Sequence, residues 1–361
     1  MQGEFDVAVI GGGPAGMMVA GRAAELGARV VLIEKNLNLG RKLMMSGNGR
    51  CNISQAEFDD RKFIEKLGKN GQFLFSALSV FGPEEVVKFF EERGLKTKTE
   101  KNGRIFPVSD RAQDVLNVLS GYLSKNKVKL LLGEEVVGFD VKDGIIRKAL
   151  LKSGEISAGS FILTTGGRSY PEMGSNPSVS AMPKALRADG KGYEWAEEMG
   201  HKIIKIRPIL TPIEIREDWV RNLQGLSLEN VRVAIFQKNK KQDSRIGEIL
   251  FTHFGLSGPL ILDLSKKIGE LLETGEVVLK IDFKPSLDVL ELDKILQKDF
   301  RTNKSLENYL SKQLPQKLSG PIIIFSKINP EKKLNAITKK EREKLIGLLK
   351  GLKLTVWLAW L

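Results

Sequence analysis

Residues 6–34, DVAVIGGGPAGMMVAGRAAELGARVVLIE, leave few options for how this chain begins to fold. Residues 7–10 are a short apolar, β-branched run of the kind found in buried strands. Gly11, Gly13 and Gly16 follow in GxGxxG spacing, with Pro14 and Ala15 inside it, and helix-forming residues continue through Leu26. Gly27 stands where a glycine past the last helical turn belongs. Residues 30–33 are a second buried strand, and Glu34 ends it. In such a unit the first glycine permits the tight turn and the second lets backbone approach a pyrophosphate. The third lets helix and strand pack closely. The helix N-terminus then points its N–H groups at the phosphates, and Glu34 stands where a carboxylate accepts hydrogen bonds from ribose hydroxyls. A carboxylate there repels a 2′-phosphate, so the expected dinucleotide is FAD or NAD and not NADP. A glycine-rich turn in an unrelated α/β protein is the plain alternative.

The chain has 361 residues, 42% of them hydrophobic, which suits two or three domains with a sizeable core. Its formal charge is +13. The lysines at 238, 240, 241, 332, 333, 339, 340 and 344 fall in polar loops and on helix faces, as a solvated surface requires. No aromatic residues interleave with them in the way single-stranded nucleic acid needs for stacking, so nucleic acid is not expected as a partner. The charge still favours anionic ligands. Cys51 is the only cysteine, which rules out an intrachain disulfide and fits a reducing, cytoplasmic setting. The start MQGEFD lacks the basic region of a signal peptide. No apolar run approaches the roughly 18–20 residues of a membrane span. Nothing in the sequence indicates an oligomeric state or a metal site.

Residues 35–54, KNLNLGRKLMMSGNGRCNIS, are rich in Gly, Asn and Ser and carry Arg41, Lys42 and Arg50. A loop after the acidic end of the second strand can fold back over a pyrophosphate with its N–H groups and basic side chains facing the anion. An ordinary surface loop is the alternative. The run Gly40-Arg41-Lys42-Leu43, followed by Ser46-Gly47-Asn48-Gly49-Arg50-Cys51-Asn52, resembles the signature of the BaiN/RdsA-like NAD(P)/FAD-dependent oxidoreductases. Further resemblances lie in GRIFPVSDRAQDVL (103–116), in Gly166-Gly167-Arg168-Ser169-Tyr170-Pro171 with Gly174-Ser175, and in GEILFTHFGLSGP (247–259).

The resemblance implies a Rossmann-type FAD-binding α/β domain with an inserted antiparallel β-barrel-like domain that carries a helical subdomain. The expected boundaries are 1–200 for the FAD domain, 201–285 and 346–361 for the barrel, and 286–345 for the helical insert. It implies FAD held by Lys35, Arg41, Lys42, Ser46, Gly47, Gly49, Arg50, Cys51 and Asn52 in addition to the glycine loop and Glu34. By resemblance to two-dinucleotide-type flavoproteins, the backbone at Val136 is expected to contact the adenine. A strand ending in Thr165-Gly166-Gly167 lets backbone come close to a bound cofactor. The activity implied is oxidoreduction of a small organic substrate by hydride transfer through the flavin. Reduction of an activated double bond and oxidation of an amine both occur in the family. No second GxGxxG follows a strand, so NAD(P)H, if used, is expected as a transient donor or in the inserted domain.

Elsewhere the pattern predicts two helical stretches over 61–93 and strands at 95–99 and 104–106 about an Asn102-Gly103 turn. Ser109 or Asp110 is expected to cap the helix that begins near Arg111. Arg104 reads either as a surface residue or as one facing the cofactor pocket. Strands follow at 128–132, across 137–151 and at 161–164. Residues 176–188 read as an extra loop relative to the family. Past His201, residues 202–206, 211–216, 231–237 and 246–252 alternate like antiparallel strands. Residues 277–283 form another, 286–349 are mostly helical, and 352–356 return as a strand. His253 and Tyr170 are the candidates for a catalytic acid. For His253 a locally held histidine is the plainer reading, and His201 reads as structural.

The chain ends WLAWL, which does not resemble the family, whose members continue into a glycine-rich segment that contacts the flavin. The expectation is an ADP half-site that survives, with weaker FAD affinity, lower stability and an exposed sheet edge. An inactive remnant is therefore one alternative. A basic, FAD-containing tRNA-binding or tRNA-modifying protein is another.

Overall fold

The computed structural model describes residues 4–68, 70–167, 190–207 and 209–359. The chain divides into two compact units, Met1–Ile204 and Lys205–Leu361.

In the first unit, β1 (Phe5–Ile10), α1 (Pro14–Glu25) and β2 (Val30–Glu34) form the expected βαβ start. The strands run parallel, Val7 opposite Val30 through Ile10 opposite Ile33. The chain then passes through α2 (Arg41–Met45), β3 (Ser54–Gln55), α3 (Asp60–Lys66), α4 (Phe75–Leu78), α5 (Pro83–Glu91), β4 (Thr97–Thr99) and β5 (Arg104–Pro107). It continues with α6 (Ala112–Lys125), β6 (Lys129–Leu132), β7 (Val136–Lys142), β8 (Ile145–Leu151), β9 (Glu155–Leu163) and α7 (Lys191–Glu198). The main sheet has the order β6-β2-β1-β9-β8-β7. Strand β9 changes partner along its length: residues 155–157 pair antiparallel with β8, and residues 158–163 pair parallel with β1. Period-two alternation in β1 divides the core. Val9 packs with Met17, Ala20 and Leu119 on the face of α1 and α6, whereas Ala8 and Ile10 pack with Val31, Val136 and Trp195 on the other.

The second unit is a closed six-stranded barrel, β10-β13-β12-β11-β14-β15. Its strands are β10 (Ile213–Ile215), β11 (Ser227–Gln237), β12 (Lys240–Phe251), β13 (Gly255–Ser257), β14 (Val277–Asp282) and β15 (Leu352–Ala359), with α8 (Pro259–Leu272) after β13. Every barrel pairing is antiparallel, and β10 with β15 closes it. Val233, Ile235, Ile249, Leu279, Ile281 and Leu354 fill the interior without solvent exposure. Between β14 and β15 the chain makes four helices: α9 (Val289–Asp299), α10 (Leu306–Gln313), α11 (Gln316–Ser326) and α12 (Lys339–Gly351). Asp288 with Glu291, and Thr338 with Glu341, form capping boxes at the starts of α9 and α12.

Three expectations need correction. Residues 202–206 form no strand; Ile204 and Ile206 are exposed, and no neighbouring strand offers them a buried face. Neither Ser109 nor Asp110 caps α6. Its N-cap is Arg111, without a side-chain cap, while Asp110 turns to Lys98 and Arg50. The strand expected over 352–356 is longer: β15 runs on to Ala359, and Leu358 and Ala359 pair with β10.

Two ion-paired carboxylates tie elements together. Asp282, 6% exposed at the end of β14, meets the Lys350 ammonium at 2.7 Å. Lys350 also donates to the carbonyls of Lys284 and Leu287, so the C-terminus of α12 is bound to the loop that leaves the barrel. In the first unit Glu135 pairs with Lys152 at 2.5 Å and with Lys191 at 2.9 Å. The Lys152 and then the Lys191 ammonium pull its carboxyl down to about 2. Lys350→Met leaves a buried carboxylate with the Lys284 N–H at 2.9 Å and, as a cation, Arg232 at 3.8 Å, and is expected to destabilise the chain by about 3 kcal/mol in urea unfolding. For Glu135 the folded pKa lies below the unfolded one, so its stabilisation is present above pH 4.5 and disappears as pH falls toward 2. Melting midpoints measured across that range should fall more steeply for the native chain than for Glu135→Gln.

Candidate functional site

The C-terminal ends of β1 and β9 and the start of α1 converge so closely that no side chain fits between them. Gly11 has φ +111°, and a Cβ there would lie 2.5 Å from the Thr164 carbonyl oxygen. A Cβ on Gly16 would lie 1.9 Å from the Gly11 oxygen. The Thr164 hydroxyl donates to the carbonyls of Ile10 and Gly11, both at 2.9 Å, and so satisfies the polar backbone at this crossing. Gly13 is the N-cap of α1 and supplies no side-chain cap, while Pro14 occupies the first turn. A Cβ on Gly13 would meet nothing within 4 Å, because that side opens onto a cleft. Gly11, Gly13, Pro14 and Ala15 form one wall of this cleft.

Glu34 enters from the end of β2. Its Oε2 accepts from the Gly12 N–H at 2.7 Å, and its Oε1 accepts from the Asn36 N–H at 2.8 Å. The loop that follows folds back: the Gly40 N–H donates to the Gly12 carbonyl at 2.9 Å. Lys35, Arg41 and Lys42 thereby line the same cleft. Arg41 donates to the Asn36 side-chain oxygen at 3.0 Å, and Lys42 reaches the Gly167 carbonyl at 3.4 Å. Across the cleft stand Val136, Thr165 and Gly166, with Glu135, Lys191 and Trp195 beside them. Helix α7 sits against the strand end because residue 192 is glycine; a Cβ there would be 2.1 Å from the Thr165 hydroxyl.

Pro14, Ala15 and Lys42 also border a second, mainly apolar pocket of about 510 Å³. Its walls include Met18, Leu43, Phe81, Phe90 and Leu119, and its polar groups come from Ser46, Cys51 and Asn52. Ser46 donates to the Leu43 carbonyl at 2.7 Å. Cys51 has φ +61° and is 5% exposed, and burial pushes its thiol pKa up.

Several predicted residues lie elsewhere. Arg50 lines neither pocket. Its guanidinium stacks 4.0 Å from the centre of the Phe106 ring and pairs with Glu100 at 2.6 Å, which pins the loop to β5. Gly47 and Gly49 supply positive φ in that loop and also line neither pocket. Gly16 and Gly167 are packing and contact positions, not lining ones. Arg104 is exposed beside Glu100, as its surface reading has it. His253 belongs to the barrel unit, where it is exposed and edge-on to Phe254 at 4.8 Å. Tyr170 and the 176–188 loop lie outside the described residues. The sequence reading missed Gly12, Asn36, Glu135, Lys191 and Trp195. Gly12 and Asn36 lie inside the two loops already singled out, whereas Glu135, Lys191 and Trp195 reach the cleft from distant parts of the chain.

The cleft therefore offers an uncapped helix start, a fixed carboxylate and several cations beside an apolar wall. Among the described residues no group of His, Cys, Asp and Glu is placed to hold a metal ion. No helix of the described residues is long and apolar enough to cross a membrane. The model of the HI0933-like protein Rossmann domain matches residues 5–278, and that of the HI0933-like protein barrel and H2TH domain matches 207–357. The 3-dehydro-bile acid Δ(4,6)-reductase of Clostridium scindens is 28% identical over 359 residues, covering 97% of this chain and 82% of that one. The ribosomal RNA dihydrouridine synthases of Escherichia coli and Haemophilus influenzae are 29% and 30% identical. Those matches cover 96% and 86% of this chain, and 80% and 72% of the relatives. The glycine-loop cleft, the barrel and these matches together place the chain in the HI0933-like family, as an oxidoreductase of the flavoprotein type.

Proposed function

We propose that the chain binds FAD with its ADP half in the glycine-loop cleft and reduces a carbon–carbon double bond conjugated to a carbonyl. The Glu34 carboxylate, held beside the uncapped start of α1, carries the cofactor part of this reading. The residues present suit the group. Glu34 can accept hydrogen bonds from a ribose diol, and its charge disfavours a 2′-phosphate. The first N–H groups of α1, with Arg41 and Lys42, suit a pyrophosphate. Val136 and Trp195 offer an apolar wall for a purine. Bound there, FAD supplies hydride chemistry at its N5, with NAD(P)H as the transient electron source. The chain contributes binding, orientation and charge.

The substrate part rests on the relatives' names. A Δ(4,6)-reductase and a dihydrouridine synthase both saturate a double bond conjugated to a carbonyl. That shared chemistry favours double-bond reduction over amine oxidation for a small organic substrate. A second reading places the double bond in a nucleobase of RNA. Two relatives carry such names, and residues 205–361 hold 28 Lys and Arg against 19 Asp and Glu.

The visible spectrum of the purified chain, mixed with FAD and then desalted, tests the first statement. Flavin bands that stay with the protein are the expected result, and a colourless protein that takes up no FAD refutes it. Gly13→Val should fold normally, since its Cβ meets no protein atom, yet weaken FAD binding at least tenfold, about 1.4 kcal/mol. Glu34→Gln should weaken binding of both FAD and ADP by about tenfold in titration calorimetry, since a charge-assisted hydrogen bond contributes about 1.5–3 kcal/mol.

A further inference from the structure

The outer face of the barrel carries a pattern that the cofactor cleft leaves unused. In β11, β14 and β15 the inward residues are apolar and buried, so alternate residues face outward. On that outer face Lys280 stands directly opposite Lys353. Phe236 stands opposite Val278 on one side and Lys241 on the other. The Lys280 ammonium lies 4.1 Å from the centre of the Phe236 ring. Trp357 shares the face with Lys353, and is 60% exposed with the Arg216 guanidinium 5.2 Å from its ring. The β11–β12 hairpin adds Lys238 and Lys240 at the edge.

Like charges directly opposite on antiparallel strands destabilise a sheet. Among the described residues none of Lys238, Lys240, Lys241, Lys280 and Lys353 has a carboxylate within ion-pair distance, and the acidic residues nearby are taken: Asp282 by Lys350, Glu276 by Arg216, Asp243 by Arg245. The second unit has a formal excess of nine positive charges out of the chain's +13. On this face Trp357 is exposed and Phe236 is half-buried beside Lys280, both among lysines without a carboxylate partner, which suits single-stranded nucleic acid: phosphates meet the cations and a base stacks on an open ring.

We propose that this face, centred on Phe236, Lys280 and Lys353 and flanked by Trp357, binds single-stranded RNA. The choice of RNA over DNA rests on the second reading of the substrate; the site itself does not. The test is fluorescence anisotropy of the full chain with a labelled uridine-rich RNA of about 20 nucleotides, between 50 and 200 mM salt. Lys280→Glu with Lys353→Glu should lower affinity at least tenfold and reduce the salt slope by about 1.4, two single-strand phosphate contacts. Phe236→Ala should lower affinity about fivefold or more. Lys353→Glu alone should also weaken RNA binding while raising the melting midpoint by roughly 1–3 °C, since it turns the like-charge pair into an ion pair and leaves Lys280 on the Phe236 ring. That opposite movement separates lost binding from lost folding. Lys294→Glu with Lys298→Glu, the same charge change on exposed positions of α9, should leave affinity within about twofold. Equal losses in the two double variants, no RNA binding by the native chain, or tighter binding to DNA or to anionic lipid vesicles would overturn the proposal. The assay needs no flavin, so its outcome is independent of whether FAD binds.

Discussion

The cleft depends on one close approach, the crossing of backbone at Gly11, Gly16 and Thr164. Two strands and a helix meet there at distances that exclude a Cβ; the Thr164 N–H bonds the Ile10 carbonyl, and the Thr164 hydroxyl lies between the Ile10 and Gly11 carbonyls as a further donor. Because this junction sits at the C-terminal edge of parallel strands, the space beyond it opens where α/β sheets place their ligands. Everything that lines the cleft is positioned from it. Glu34 is brought to Gly12 by the register of β2 on β1, and the 40–42 turn is held by the Gly12 carbonyl.

The segment from Gly40 to Asn52 divides its work. Arg41 and Lys42 turn toward the cleft, while Ser46, Cys51 and Asn52 border the apolar pocket behind it. Arg50, the most conspicuous cation of the run, is instead a structural clamp between Phe106 and Glu100. A basic residue in a glycine-rich loop beside a cleft is thus no guide by itself to where its charge points. The nearest competing carboxylate and ring decide that.

The barrel unit stores its own tension. Its interior is apolar throughout, and its helical excursion between β14 and β15 is fastened by Lys350 on the buried Asp282. On the outside, Lys280 opposite Lys353 is a local cost within the sheet. Such a pair invites an anionic partner, and it lies on a face that also presents aromatic rings.

The local elements were legible because their signals are local. The β1–α1–β2 unit declared itself within about thirty residues, through strand periodicity, glycine spacing and a terminal acid. The barrel strands β10, β11, β12 and β14 were readable from pattern, whereas β13 lies in what read as a glycine-rich turn. Residues 202–206 misled because alternation reports a pattern and not a partner. What tertiary structure alone decided are the meetings between distant residues. Glu135 and Lys191 reach the cleft only when β7 and α7 are placed. Phe236, Lys241, Lys280 and Lys353 become one surface only through three strand registers. The sequence showed lysines without interleaved aromatics because it is read along the chain, whereas the sheet interleaves them across it. By itself the sequence determined the nucleotide-binding start and the order of the elements, since both follow from short-range sterics and hydrophobic period. Which charges face which was decided by packing, where neighbours in space need not be neighbours in sequence.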